Sequence, residues 1–204
     1  MRHGFHPGLI LSVPVLLLIA SILLLKTPST VLAQPSPVYP ASTVISSIEW
    51  DIASKRTLAP GSDNWAITWA ADGHQYTTWG DGGGFGGTNK RWGGRVSLGF
   101  ARIEGGKDDY VGVNIWGGKN AQNPARITGK SYGILSIDGV LYMWRGHQDA
   151  PGENVYGTSS LYRSTDASAS WEATSVSYDA GFFTPTFLQF GQDYSGARDQ
   201  YVYV

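Results

Sequence analysis

A short pattern, Asp-x-x-x-Tyr, recurs along this 204-residue chain and limits what it can fold into. It stands as Asp72-Gly73-His74-Gln75-Tyr76. It returns 66 residues later as Asp138-Gly139-Val140-Leu141-Tyr142, and 61 residues after that as Asp199-Gln200-Tyr201-Val202-Tyr203. Gly80 and Gly146 keep the same spacing as the first two copies. Before the first copy, Trp65, Ile67 and Trp69 alternate with Ala66, Thr68 and Ala70, a period of two that puts the large side chains on one face of a strand. Ala71-Asp72-Gly73 is a turn signal, and the run 74–80 resumes extended character through Tyr76 and Trp79. The pattern therefore marks a β-hairpin, and its return at similar intervals marks a repeat architecture.

The residues between the copies complete the unit. A strand over 95–103, a Gly-Gly-Lys-Asp-Asp turn and a strand over 110–116 extend the first hairpin into a four-stranded meander. After a loop over 117–129 the second hairpin follows, with further strands over 160–163 and 171–178. Repeated four-stranded meanders predict an all-β fold, a β-propeller of four-stranded blades, with five blades expected in the full ring. A sandwich is the alternative, but its strands do not recur as equivalent sets of four. Only Val204 follows the third copy. Because a propeller needs at least about four blades to close, residues 43–204 are expected to hold about two complete blades and the start of a third, the N-terminal part of a longer ring. A strand over 43–51, built on Val44, Ile45, Ile48 and Trp50, would then belong to the final blade.

The beginning of the chain has a different character. Arg2, His3 and His6 precede an apolar run from Leu9 to Leu25, and Val31-Leu32-Ala33 offers the residues a signal peptidase reads. Residues 1–33 are expected to be a secretory signal and 34–42 a proline-containing linker, leaving a secreted or periplasmic protein without stable membrane insertion. An uncleaved anchor is the alternative, since the run approaches the roughly 20 residues that span a bilayer. Past Ala33 the chain carries 13 basic and 16 acidic residues, with no basic patch to recommend nucleic acid. It has no cysteine, hence no disulfide or thiolate chemistry. Eight tryptophans and eleven tyrosines leave aromatic surface for stacking.

Some motifs carry structure rather than chemistry. Ser164-Thr165-Asp166-Ala167-Ser168-Ala169-Ser170-Trp171 resembles the Asp-box turn of sialidases and other glycan-active propellers, with Ser168 where glycine is usual. Its Ser and Asp side chains are expected to bond the turn backbone while Trp171 packs into the blade. Gly82-x-Gly84-x-x-Gly87 lacks the βαβ unit of a dinucleotide site. Gly129-x-Ser131-x-Gly133 lacks the helix of a nucleophile elbow. Asp108-Asp109 supplies too few ligands for calcium. No cofactor and no metal is expected.

Through DNWAITWAADGHQYTTWGDGGGFGG at 63–87 and FFTPTFLQFGQDYSGARDQYVYV at 182–204, the chain resembles a family of secreted proteins related to five-bladed propeller glycosidases. The resemblance covers about residues 45–204 and implies a carbohydrate-active protein, glycoside hydrolase-like in full length. A non-catalytic glycan-binding or surface-interaction propeller is the alternative. Such glycosidases place a catalytic carboxylate at the start of the first inner strand, where this chain has Asp63; no residue here matches their general acid. Antiparallel pairing brings Asp63 and Asn64 beside Asp81, and a propeller places Arg145, His147 and Asp149 on the same face. Asp63 and Asp81 are the catalytic candidates, each alternatively a turn aspartate. Two neighbouring carboxylates there would push one pKa upward. Asn64, Phe85, Arg145 and His147 are the substrate-binding candidates for a glycan or polysaccharide. Arg145 would either grip an acidic sugar or pair with Asp149. The glycine run 82–87 would turn tightly or admit a ligand close to the backbone.

Overall fold

The computed structural model describes residues 39–179 and 184–204. The expected signal segment 1–33 and residues 34–38 of the linker lie outside the described residues. The chain divides into two compact units after Trp50. Of the first unit, residues 39–50 form no strand and all are exposed. The strand expected over 43–51 is therefore corrected. The Ser42 hydroxyl accepts the Val44 and Ile45 N–H groups at 3.1 and 2.9 Å, a local turn that competes with extension. In the second unit, Asp51 caps the short 3-10 helix Ile52–Ser54, which further separates this stretch from a strand geometry.

The second unit is all-β apart from short 3-10 turns. Strands β1 (Asp63–Trp69), β2 (Gln75–Gly82), β3 (Val96–Glu104) and β4 (Val111–Trp116) form one antiparallel sheet in sequence order, sheet I. Strands β5 (Lys130–Ile137), β6 (Val140–Gly146), β7 (Ser159–Ser164) and β8 (Glu172–Tyr178) form sheet II in the same way. The two meanders read from the repeat are thus present. Short turns join β1 to β2, β3 to β4, β5 to β6 and β7 to β8, longer loops over 83–95 and 147–158 join β2 to β3 and β6 to β7, and the pairing is antiparallel and consecutive in each sheet.

Sheet I packs one face on sheet II. Tyr76, Leu98, Phe100 and Trp116 meet Ile134, Leu141, Met143 and Tyr162 in a shared apolar cluster. The opposite face of sheet II, with Leu135, Trp144, Tyr142 and Leu161, is covered by Phe187, Phe190 and Tyr194. A chain of hydrogen bonds sews these layers together. The Ser136 N–H donates to Thr68 Oγ1 (2.9 Å), Thr68 donates to Gln189 Oε1 (2.9 Å), and Gln189 Nε2 donates to the Ile134 carbonyl (2.8 Å).

The first and third Asp-x-x-x-Tyr copies share one hydrogen-bond pattern. Asp72 accepts the His74 N–H (3.0 Å) and the Tyr76 hydroxyl (2.7 Å); Asp199 accepts the Tyr201 N–H (3.0 Å) and the Tyr203 hydroxyl (2.5 Å). In the second copy the role passes to Asp193, which accepts Gly139 N–H and Ser136 Oγ. The hairpin expected around the third copy is only begun: Leu188 N–H donates to the Tyr203 carbonyl, and no strand forms over 184–204. Eight residues, 191–198, intervene between the first extended segment and the turn, including the 3-10 turn Gln192–Tyr194, and they divert the chain from a tight hairpin.

The Asp-box-like turn is built as its side chains predict. Asp166 accepts from Ser164 Oγ, Ser170 N–H and Ser170 Oγ, and Ser164 Oγ accepts the Ser168 N–H. Trp171 stacks on Phe100 with centroids 4.9 Å apart. Burial works to raise the Asp166 pKa, but the hydrogen bonds from Ser170 and Ser164 outweigh it and hold the carboxyl below its ordinary value.

Candidate functional site

The start of β1, the end of β2 and the start of β5 meet at one rim. A register shift after Asp63 frees the first residues of β1 from regular alternation, and such a bulge re-aims side chains. Asp63 pairs with Gly80 across the ladder. A Cβ at Gly80 would stand 3.0 Å from Asp63 Oδ1, 3.0 Å from Asn64 Nδ2 and 3.1 Å from Lys130 Cδ, so glycine leaves room for these three side chains to converge, and a larger residue would make them give way. Asn64 (φ 53°) and Asp81 (φ 35°) both hold left-handed backbone, a conformation costing of order 1 kcal/mol or more in a non-glycine residue and persisting where surrounding structure enforces it.

The rim brings together Asp63, Asn64 and Asp81, as expected, but not as a carboxylate pair. Asp81 Oδ1 lies 2.6 Å from Lys130 Nζ and 3.1 Å from Arg95 Nη2. Asp63 accepts from Asn64 Nδ2 (3.1 Å) and makes no ion pair among the described residues. Lys130 Nζ also donates to the Ser97 carbonyl, joining the sheets. Tyr132, two residues further on β5, stacks on Tyr156 with centroids 6.2 Å apart. Its phenol is held well above its ordinary pKa, first by burial, then by a hydrogen bond with Tyr156, with the negative charges of Asp63 and Asp81 adding to the shift. Asn64, Trp65, Tyr132, Ile134, Thr186 and Phe187 help line a cleft of about 380 Å³ between β1, β5 and the 184–190 segment.

Arg145 and His147 form a second cluster at the same ends of β5 and β6. Arg145 is buried, and its guanidinium is fully engaged: Nε donates to the Thr128 carbonyl (2.8 Å), Nη1 to Tyr162 Oη (2.7 Å) and Nη2 to Asp149 Oδ1. Of the two readings of Arg145, pairing with Asp149 is the one the geometry shows. His147 Nδ1 lies 3.1 Å from Asp149 Oδ2 and Nε2 lies 2.9 Å from Ser160 Oγ. The hydrogen bonds from Arg145 and then His147 hold Asp149 below the usual carboxylate range. His147, Asp149 and Glu153 bring ligand-type atoms within 4.8 Å of one another. Those atoms are already bonded to Arg145 and to the Asp149 and Ala150 N–H groups, so the set is a loop brace rather than an open cation cradle.

Phe85 stands apart from the rim. Its ring packs on Trp65 (5.3 Å) and over Gly112, and it lines a different cleft of about 790 Å³ on the outer face of sheet I. The glycine run serves the fold. Asn114 accepts the Phe85 N–H and donates to the carbonyls of Gly83, Phe85 and Lys119, while Cβ atoms at Gly82, Gly83 and Gly84 would collide with Gly61, Gly93 and Asn114. Its close approach is to its own chain.

Sequence reasoning missed Lys130, Tyr132, Arg95 and Tyr156. The repeat carried a signal for two of them, because Lys130 and Tyr132 open β5 as Asp63 and Trp65 open β1. Tyr156 sits in a long loop whose path no periodicity describes. No protein-family model matches the chain, and no curated protein matches it.

Proposed function

We propose that the protein is an exported, carbohydrate-recognising β-propeller-type protein that holds a glycan at the rim formed by β1, β2 and β5. The supporting observation is the convergence over Gly80: a carboxylate with no ion partner among the described residues (Asp63), an amide (Asn64) and the Lys130 stem, beside a stacked tyrosine pair and a cleft lined by Asn64 and Tyr132. Sugars ask for this combination, with aromatic rings for their apolar faces and amide and carboxylate groups for their hydroxyls. The Lys130–Asp81–Arg95 network fixes the rim and leaves its charges mutually satisfied, which suits neutral hydroxyls. Glycan hydrolysis is the second reading, and it rests on Asp63, the rim carboxylate without an ion partner among the described residues; hydrolysis requires a second carboxyl group across the bond.

Binding and turnover measured together on a glycan panel test both readings. Tyr132→Ala is expected to weaken glycan binding about tenfold, the usual worth of one aromatic contact. Asp63→Asn is expected to keep the fold and, on any substrate the wild type hydrolyses, to lower turnover by roughly two to four orders of magnitude. Wild-type protein that binds nothing across a broad panel refutes the proposal. Binding without turnover leaves recognition and removes the hydrolase.

A further inference from the structure

The loop 147–158 leaves β6 and returns to β7 with three reactive side chains in a line. His147 follows the last residue of β6, and Ser160 is the second residue of β7. The His147 N–H donates to the Thr158 carbonyl (3.4 Å), and Ser160 pairs with Arg145 across the ladder, so the chain closes the loop and brings the serine back to the imidazole. His147 Nε2 lies 2.9 Å from Ser160 Oγ, and Nδ1 lies 3.1 Å from Asp149 Oδ2. Hydroxyl, imidazole and carboxylate are thus linked in the order that activates a serine, with the nucleophile on one ring nitrogen and the orienting carboxylate on the other.

The neighbours fix where the proton sits. Arg145 Nη2 donates to Asp149 Oδ1, which keeps the carboxyl ionised, so Oδ2 can only accept and Nδ1 carries the hydrogen between them. Arg145 Nη1 stands 3.5 Å from Nδ1 but is taken up by Tyr162 Oη at 2.7 Å. Nε2 is then the acceptor for the Ser160 hydroxyl. The imidazole also packs on the Tyr162 ring, with centroids 6.5 Å apart. These ties orient the ring without sealing it: the His147 side chain is 22% exposed, and Ser160 is half-buried. Ser177 lies directly opposite Ser160 on the edge strand β8, and a register shift follows the pair. Directly paired residues share a face, so the exposed Ser177 presents a hydroxyl beside the serine, a donor for an oxyanion forming there.

We propose that Ser160, His147 and Asp149 form an acyl-transfer site that hydrolyses carboxylic esters. Ser160 Oγ bonds to the ester carbonyl carbon while its proton passes to His147 Nε2. Collapse of the tetrahedral intermediate breaks the bond to the alcohol oxygen, and the alcohol leaves with that proton. Water then gives a proton to His147, attacks the acyl-serine and releases the carboxylic acid and free Ser160. Asp149 is the positioning residue: it holds the productive tautomer and stabilises the imidazolium. The proposal is independent of glycan binding at the rim.

Fluorophosphonate labelling located by mass spectrometry, together with p-nitrophenyl acetate turnover, tests it on the full chain. Wild type is expected to take one label, on Ser160, and to hydrolyse the ester. Ser160→Ala should lose the label, and Ser160→Ala and His147→Gln should each lower turnover by roughly three orders of magnitude or more. Ser177→Ala should keep the label on Ser160 and turn over about a hundredfold more slowly. Asp149→Asn should be slow, with the acid limb of its pH–rate profile moved to lower pH because the imidazolium has lost its carboxylate. Circular dichroism confirms that each variant folds. A folded wild type that takes no label on Ser160 overturns the proposal, and so does turnover that survives Ser160→Ala. Wild-type turnover with an unmoved acid limb in Asp149→Asn overturns it as well.

Discussion

Ser168 sits at φ 72° in the Asp-box-like turn, fully buried, with a hydroxyl that has no hydrogen-bond partner among the described residues. Left-handed backbone costs an ordinary residue about 1 kcal/mol, and an unsatisfied buried hydroxyl about 1–3 kcal/mol. Glycine removes both penalties, while its freedom in the unfolded chain costs back about 0.5–1 kcal/mol. Ser168→Gly is therefore expected to stabilise the protein by about 1–2 kcal/mol, read as a higher denaturant midpoint at unchanged slope. The bonds from Ser164 and Asp166 that shape the turn involve the Ser168 backbone and its neighbours, so they survive the change. A midpoint that falls would show that the hydroxyl has a role the geometry does not contain. Arg145 teaches the complementary lesson. A cation at a strand end looks like a ligand group in sequence, but a buried guanidinium with bonds to Thr128, Tyr162 and Asp149 is a structural tie.

The hairpin turn is the element that makes the repeat visible. In the first copy burial, then the hydrogen bond to Asp72, pushes the Tyr76 phenol up to about 12. An unfolded tyrosine ionises near 10, so between these values the unfolded state loses its proton while the folded state keeps it. The stability contributed by this group is complete below about pH 10 and is lost as pH rises toward 12. Denaturation midpoints from pH 8 to 12 should fall more steeply for wild type than for Tyr76→Phe, by an amount of order 1–3 kcal/mol at the alkaline end. Parallel curves would mean that the Asp72–Tyr76 bond does not persist in solution. Strand boundaries were legible because period-two alternation and Gly/Asp turns are local signals: β2, β3, β4, β7 and β8 lie within two residues of where sequence places them. The stretch 43–51 misled because its apolar residues suggested a strand while Ser42 was free to bend the backbone first. The rim was half legible. Asp63, Asn64 and Asp81 come together through the pairing of one hairpin, which sequence shows. Lys130 and Tyr132 arrive from another sheet through packing, and no local pattern encodes which side chains the second sheet delivers.

Across the whole unit, stability depends on three layers meeting, and Gln189 is the point where they do. Its amide accepts from Thr68 of sheet I and donates to Ile134 of sheet II, while Thr68 holds the Ser136 N–H. The amide proton of Ser136, in the middle of β5, is thus retained by a side chain that another side chain, 121 residues away from Thr68 along the chain, keeps oriented. Hydrogen–deuterium exchange at that single proton becomes a gauge of whether the 184–204 segment is seated. In wild type it should exchange only with opening of the whole unit. Gln189→Leu removes two bonds worth about 1 kcal/mol each, and Ser136 should then exchange about tenfold faster or more, while protons in β3, remote from the clasp, slow or quicken only with global stability. The segment that carries no regular strand would then be the latch that decides how long the two regular sheets stay shut.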